Sequence, residues 1–420
     1  MQVVVTLPFA YPIFTYLFNK LVSTFHYTPG KSKHTSMLKL IIIILFCISN
    51  LAHSQQWRVI PDLPQAYVQC IASERNGTIW AGSLGYLYKI NGNNLFVYDS
   101  TNSPTKSNWI IFDIQIDKNG VKWIGTYRGG LLRFDGTNWT VYNMSNSGMP
   151  ANLARGIGFE KDTIKWTNSL WPVKFDGYNW RVFTYANSGM PSYQLRSLLV
   201  YKGLKFFGTL DSGLIKFNDT TFTVYNSINS GLPFEQVNAI KSEGDFLWIG
   251  TEFGGLAKYN YVLNTWKVYT RLNSGLPGNS IESILIQDSN YRWFGTGAWG
   301  LARLKYDSVW TVYNPQNSPL PNETVYSLAI DSNKNMWIGT IGGLAEFNEN
   351  GIVGVNNNSI NLVNKFDLKQ NYPNPFNGSS KIIYTIRKPS NITLKIFGTL
   401  GKEIVTLVNE DKLTGEYSVN

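Results

Sequence analysis

"QQWRVI", residues 55–60, has the form of an ending placed at a beginning. The same phrase closes a unit again and again further along: "NWTVY" at 138–142, "NWRVF" at 179–183, "TWKVY" at 265–269 and "VWTVY" at 309–313. Each later copy follows an aromatic–glycine segment of the type "WIGT…GGL". The copy at Trp57 follows only an apolar leader. A chain that starts with the last piece of its own repeat predicts that its two ends meet.

The repeat is anchored by an aromatic and a small-residue turn: "WAGS" at Trp80, "WIGT" at Trp123, "WTNS" at Trp166, "FFGT" at Phe206, "WIGT" at Trp248, "WFGT" at Trp293 and "WIGT" at Trp337. The spacings are 43, 43, 40, 42, 45 and 44 residues, so seven equivalent units are expected. Residues 279–314 read as four short strands, "SIESILIQD", "YRWFGT", "GLARLKY" and "VWTVYN", entered through the Gly/Pro connector "NSGLP" at 273–277. Four strands at this period make a β-propeller blade. Fourth strands fall near Leu95, Trp139, Trp180, Phe222, Trp266 and Trp310, but the seventh unit (324–348) has only three. The strand at Trp57 completes it and closes the ring, leaving no unpaired blade edge at the seam. The expected fold is therefore all-β, a seven-bladed β-propeller over 55–353 closed by an N-terminal strand.

Composition agrees. Charged residues are scarce (15%), aromatics plentiful (15%) and glycines number 37 among 420 residues, a turn-rich β profile. Residues 37–54, "MLKLIIIILFCISNLAHS", place a lysine before an apolar run and end on Ala52-His53-Ser54, the pattern of a secretory signal rather than a membrane span. Residues 1–36 lie upstream of Met37 and read as a non-native extension. Removing 1–54, which holds four lysines and no Asp or Glu, lowers the net charge from +10 to +6. No basic run tracks phosphates, so nucleic acid is not an expected partner. The mature chain keeps one cysteine, Cys70, and no histidine, since His26, His34 and His53 lie in the removed region. No intramolecular disulfide can then form, and packing must stabilise the fold.

The repeats resemble the two-component-regulator propeller family. The matching residues are the "WIGT" turns, the "GGLLRF", "GGLAKY" and "GGLAEF" strands and the "NSGLP" connectors, in phase over roughly 57–350. Blade three departs, with "WTNSLWPVKF". In that family such propellers often form the periplasmic sensor half of receptors. No transmembrane helix, kinase or DNA-binding segment follows the propeller here, so the receptor role is not carried over.

Residues 354–365, "GVNNNSINLVNK", read as a linker. Residues 366–420 resemble the C-terminal sorting domain of the type IX secretion system, through "QNYPNPFN" at 370–377, "LGKEI" at 400–404 and "GEY" at 415–417. The resemblance implies a small immunoglobulin-like β-sandwich that directs passage across the outer membrane. Gly378 stands where the family has proline, and the chain stops at Asn420 before the family's further strands, so an incomplete sandwich is expected. Ile392, Leu394 and Ile396 alternate as one face of a strand.

In a propeller, the loops joining second to third strands share one face with those joining fourth to next first strands. On that face the sequence places Tyr127, Arg128, Trp171, Asp211, Glu252, Phe253 and Trp299, with Arg155, Arg196, Asn238 and Glu282 near the channel rim. Flat rings stack on sugar faces and Arg, Asp and Glu bond hydroxyls, so a glycan is one expected ligand and a protein another. The same aromatics could instead cover blade tops. The tryptophans at 80, 123, 248, 293 and 337 belong between blades.

Without histidine, neither a Ser-His-Asp triad nor the histidine-and-metal chemistry of the streptogramin lyases, also seven-bladed propellers, is open. Zinc is excluded for want of ligands. "DKNG" at 117–120 and "DSNKN" at 331–335 lack a full calcium set and read as hairpin turns. No metal or cofactor is expected. The enzymatic alternative is a propeller hydrolase or lyase using Asp211, Glu252 or Arg128, the two carboxylates lying on adjacent blades. The expected role is a non-catalytic, monomeric binding module, secreted or on the outer cell surface, exported by the Sec and type IX routes. A structural protein docking on a partner is a further alternative.

Overall fold

The structure, a computed structural model, describes residues 56–161, 163–192, 194–352, 361–363, 367–368, 371–377, 379–386, 390–397, 403–412 and 415–419. The leader and the extension before it lie outside the described residues. No described helix is long and apolar enough to cross a membrane.

Seven antiparallel sheets form the blades: 68–98, 110–142, 157–182, 195–225, 237–269, 281–313 and 325–347, the last completed by Trp57–Ile60. Blade 6 consists of Ile281–Ile286, Tyr291–Thr296, Leu301–Lys305 and Val309–Tyr313, so the sequence reading of that unit holds strand by strand. The closing strand pairs antiparallel with Gly343–Phe347, in the register Trp57↔Phe347 to Ile60↔Leu344. Trp57 packs on Phe347, with ring centroids 4.6 Å apart, and Arg58 pairs with Glu346 at 2.6 Å.

Each repeated motif has a physical task. The glycine of the anchor turn lies where blades touch: a Cβ at Gly250 would stand 2.7 Å from Ile281, and one at Gly339 2.8 Å from Val68. The anchor tryptophans are buried between blades. Their indole N–H groups do not go unpaired, since each donates to a side chain five or six residues earlier in its own blade. Trp80 meets Glu74 at 2.7 Å, Trp166 Glu160 at 2.8 Å, Trp248 Glu243 at 2.7 Å and Trp293 Gln287 at 2.8 Å. The two calcium-like turns take the same role: Asp117 and Asp331 accept backbone N–H groups of their hairpins and the indoles of Trp123 and Trp337. Cations of the following blade complete the contact. Lys122 pairs with Glu74 at 2.7 Å over the Trp80 ring, and the fully buried Lys205 pairs with Glu160 at 3.1 Å over Trp166. In the connectors, Asn229 of "NSGLP" donates to the Val224 carbonyl, Leu232 is buried, and Gly231 lies against Trp266 of the next fourth strand.

Within the stretch read as a linker, Asn361–Val363 forms a strand. It adds in parallel to the fourth strand of blade 1, with Leu362 opposite Leu95. Beyond it, Ser379–Ile386 pairs with Asp367–Leu368, Tyr372–Asn377 and Gly415–Val419, and Ser390–Phe397 pairs with Glu403–Lys412. These small sheets form a partial sandwich around Tyr384, Ile386 and Val408. Ile392 and Leu394 pack on that core as the alternation predicts, whereas Ile396 is exposed.

Candidate functional site

The loops of the upper face are built to hold still. The threonine that ends each "WIGT" donates across the turn to the glycine carbonyl before the third strand: Thr126 to Gly130, Thr209 to Gly213, Thr251 to Gly255, Thr296 to Gly300 and Thr340 to Gly343, at 2.7–2.9 Å. Its oxygen also accepts a backbone N–H from inside the loop, as from Gly254 and Trp299. The anchor motif thus positions the residues that follow it.

Those residues are the ones read from the sequence. Tyr127, Phe253 and Trp299 are 41%, 64% and 49% exposed. The Phe234 and Phe253 rings meet edge to face with centroids 5.4 Å apart, and Arg271 lies 5.9 Å from the Trp299 centroid. Arg128 is exposed, has φ +78° and stands 5.3 Å from the Tyr127 centroid. Trp171 is half-buried and packs on the core around Trp166 and Phe183, so less of its ring is open than in the other three.

The first strands supply a second tier. In six blades the first strand bulges by one residue opposite the anchor turn, at Gln69, Phe112, Arg196, Asn238, Glu282 and Tyr326. Blade 3 puts Arg155 at the equivalent place, its N–H bonded to the Asn168 carbonyl. Bulges re-aim side chains, and here they aim them at one another across the channel. Arg196 of blade 4 donates to Glu282 of blade 6 at 3.1 Å, and Asn238 of blade 5 donates to both Glu282 (3.2 Å) and Glu252 (2.7 Å). Burial, with the Glu252 charge adding to it, holds the Glu282 carboxyl above its ordinary range against the pull of Arg196. Tyr67 and Tyr326 meet edge to face at 5.3 Å, and burial and that neighbour push the Tyr67 phenol up to about 12. Arg155 lies 4.7 Å from the Phe112 centroid.

Arg196, Asn238 and Glu282 are thus joined by hydrogen bonds, while Arg155 stands outside that network, over Phe112. Gln69, Phe112 and Tyr326 occupy the same position in their blades, and the sequence carries a signal for it: all seven positions lie ten or eleven residues before the anchor aromatic. Asp211 and Glu252 have separate settings. Asp211 accepts from Ser192, Gln194 and Ser212, while Glu252 accepts from Gln236 and Asn238. The carboxylate pair at the mouth is Glu252 with Glu282, bridged by an amide. Among the described residues no cluster of His, Cys, Asp and Glu is fit to hold a metal.

Residues 319–342 match the family described as "Two component regulator propeller". No curated protein matches the chain at a significant level. Among solved structures, the extracellular domain of BT3049 from B. thetaiotaomicron, assigned to a hybrid two component system, aligns with a TM-score of 0.59 at 21% identity, over 83% of this chain and 48% of that one. PorZ, an essential bacterial surface component of the type-IX secretion system of Porphyromonas gingivalis, aligns with a TM-score of 0.56 at 16% identity, over 86% of this chain and 55% of that one. A streptogramin B lyase aligns with a TM-score of 0.57 at 14% identity, over 70% of this chain and 97% of that one. At these identities the likeness is one of fold. The chain spans about half the length of the first two, and it is a seven-bladed propeller that carries a two component regulator propeller repeat.

Proposed function

We propose that this protein is a non-catalytic surface or secreted module that binds a glycan at the mouth of its propeller channel. Exposed aromatics stand on three blades, Tyr127, Phe253 and Trp299, on the same face as a part-buried network of Arg196, Asn238, Glu252 and Glu282. That juxtaposition carries the reading: rings supply faces for sugar, and the network supplies bidentate acceptors and donors for hydroxyls. Held loops favour recognition, because little order is lost on binding. The resemblance of 366–420 to a type IX sorting domain, with the leader at 37–54, supports export through the Sec and type IX routes.

The purified protein should be screened against a polysaccharide panel by tryptophan fluorescence, with the glycans chromatographed afterwards. Binding that Trp299→Ala weakens, with the melting curve unchanged, is the expected result. Fragments that vanish with Asp211→Asn or Glu252→Gln would replace the module by a hydrolase or lyase. Silence on both counts would move the ligand to a protein. Detection on intact cells, lost when type IX secretion is disabled, tests the export route.

A further inference from the structure

The bulge positions of the first strands and the loops beside them carry several charges, Asp211 of blade 4 and Arg271 beside Trp299 among them. Blades 2, 3 and 4 present Arg128, Arg155 and Arg196, while blades 5 and 6 present Glu252 and Glu282. Arg196 is neutralised by Glu282. Arg155 is not neutralised by anything comparable. Its guanidinium is half-buried over Phe112, with Arg196 and the Tyr127 phenol as its charged or titratable neighbours. Burial and the Arg196 charge both work against its protonated form. Asp113, next to Phe112 on the same strand, is occupied by the Ile157 N–H at 2.7 Å and by Gln115 at 3.0 Å. Among the described residues no carboxylate pairs with Arg155.

Elsewhere in this ring most buried cations have an anion in contact; Lys89, over Trp80 and Phe96, is an exception, with the Glu74 charge nearby. Lys122 has Glu74, Lys205 has Glu160 and Asp219, Arg292 has Glu243 and Arg58 has Glu346. A cation taken partly out of water without an anion is unfavourable, and such a group in a cleft marks a functional site. Arg128, exposed in a left-handed conformation that side chains seldom adopt, stands over Tyr127 on the same side. The Tyr127 ring lies 6.4 Å from the Phe112 ring on which Arg155 rests.

We propose that the ligand of this mouth carries an oxyanion, a sugar carboxylate or a sulfate ester, seated on Arg155 with Arg128 at the entrance. The inference rests on the glycan reading and narrows it to acidic glycans. A guanidinium fork matches both groups in bidentate geometry. The ring bearing the anion lies beside Tyr127, and neutral residues further along the glycan reach Phe253 and Trp299.

The test is calorimetric titration of the full chain with three tetrasaccharides: an oligogalacturonate, a sulfated galactan and a neutral galactan. At least one acidic probe should bind about tenfold or more tightly than the neutral one, with a preference that falls as salt is added. Galacturonate alone would identify a carboxylate, sulfated galactan alone a sulfate ester, and either supports the proposal. Arg155→Gln should abolish the preference and Arg128→Gln, at an exposed position, should reduce it, while Trp299→Ala weakens acidic and neutral probes alike. The Arg128 variant keeps the test open if the Arg155 variant fails to fold. Equal binding of all three probes, or a preference that survives Arg155→Gln, would overturn the proposal and leave the glycan reading standing. Failure of all three probes to bind would remove both.

Discussion

Arg196 and Glu282 are 86 residues apart in the chain, on blades 4 and 6, and meet at 3.1 Å across the channel. Blade 5 stands between them in the ring and contributes Asn238, which donates to Glu282 at 3.2 Å. Removing the cation leaves a mostly buried carboxylate with one amide and one hydroxyl, Ser280, for company. Arg196→Ala should therefore cost about 1–3 kcal/mol, read as a shift in the urea midpoint. Glu282→Gln, which keeps the shape and removes the charge, should cost less. Equal midpoints for wild type and Arg196→Ala would mean the pair contributes nothing to the ring.

Ring closure rests on few residues. Trp57 stacks against Phe347 and also touches Tyr313, with centroids 5.7 Å apart. Because Trp57 is half-buried, Trp57→Ala should cost about 2 kcal/mol, below the range for a fully buried tryptophan. Deleting 55–60 uncovers the edge of Gly343–Phe347, and unpaired edges associate. Size-exclusion chromatography should show oligomers for the deletion and not for Trp57→Ala.

The anchor indoles separate ring burial from hydrogen bonding. Trp248→Phe keeps an apolar ring and loses the N–H donated to Glu243. Glu243 retains Arg292, so the loss should stay near 1 kcal/mol. Trp248→Ala opens a cavity between blades 5 and 6 and should cost about 3–5 kcal/mol. Similar midpoints for the two variants would contradict this division.

Glu74 makes the contact between blades 1 and 2 sensitive to acid. Burial works to raise its pKa, but the Lys122 ammonium and the Trp80 indole outweigh burial and bring it below 4.5. A carboxyl depressed on folding stabilises the protein above its unfolded pKa and loses that stabilisation as pH falls through the folded value. Stability should therefore drop on the acid side of 4.5, and Glu74→Gln should flatten that limb. Denaturant midpoints taken from neutral pH downward give the slope. A slope unchanged by Glu74→Gln would assign the acid sensitivity to other carboxyls.

Much of the candidate site was legible because loop position follows from motif position. Tyr127, Phe253 and Trp299 sit just after a threonine that clamps its own turn, and both facts are local. Trp171 shows where this fails. In blade 3 the turn is shorter and Ser169 stands in the threonine's place, so nothing in the local pattern says how far its ring sinks toward Trp166. The strand at 361–363 was likewise not legible, because an Asn-rich segment carries no period of its own and is ordered by the edge of blade 1 that it meets.

By itself the sequence determined the number of blades, the four strands of each and the strand that closes the ring. All of these depend on patterns within about 45 residues, namely alternation, turn residues and a repeated aromatic. Only the tertiary structure decided which charges meet. It gave Asp211 and Glu252 different hydrogen-bond partners, joined Glu252 to Glu282 through Asn238, and left Arg155 over Phe112 with no carboxylate partner among the described residues. The physical reason is that charge pairing depends on distances of a few ångströms between side chains of different blades, and circular closure sets those distances.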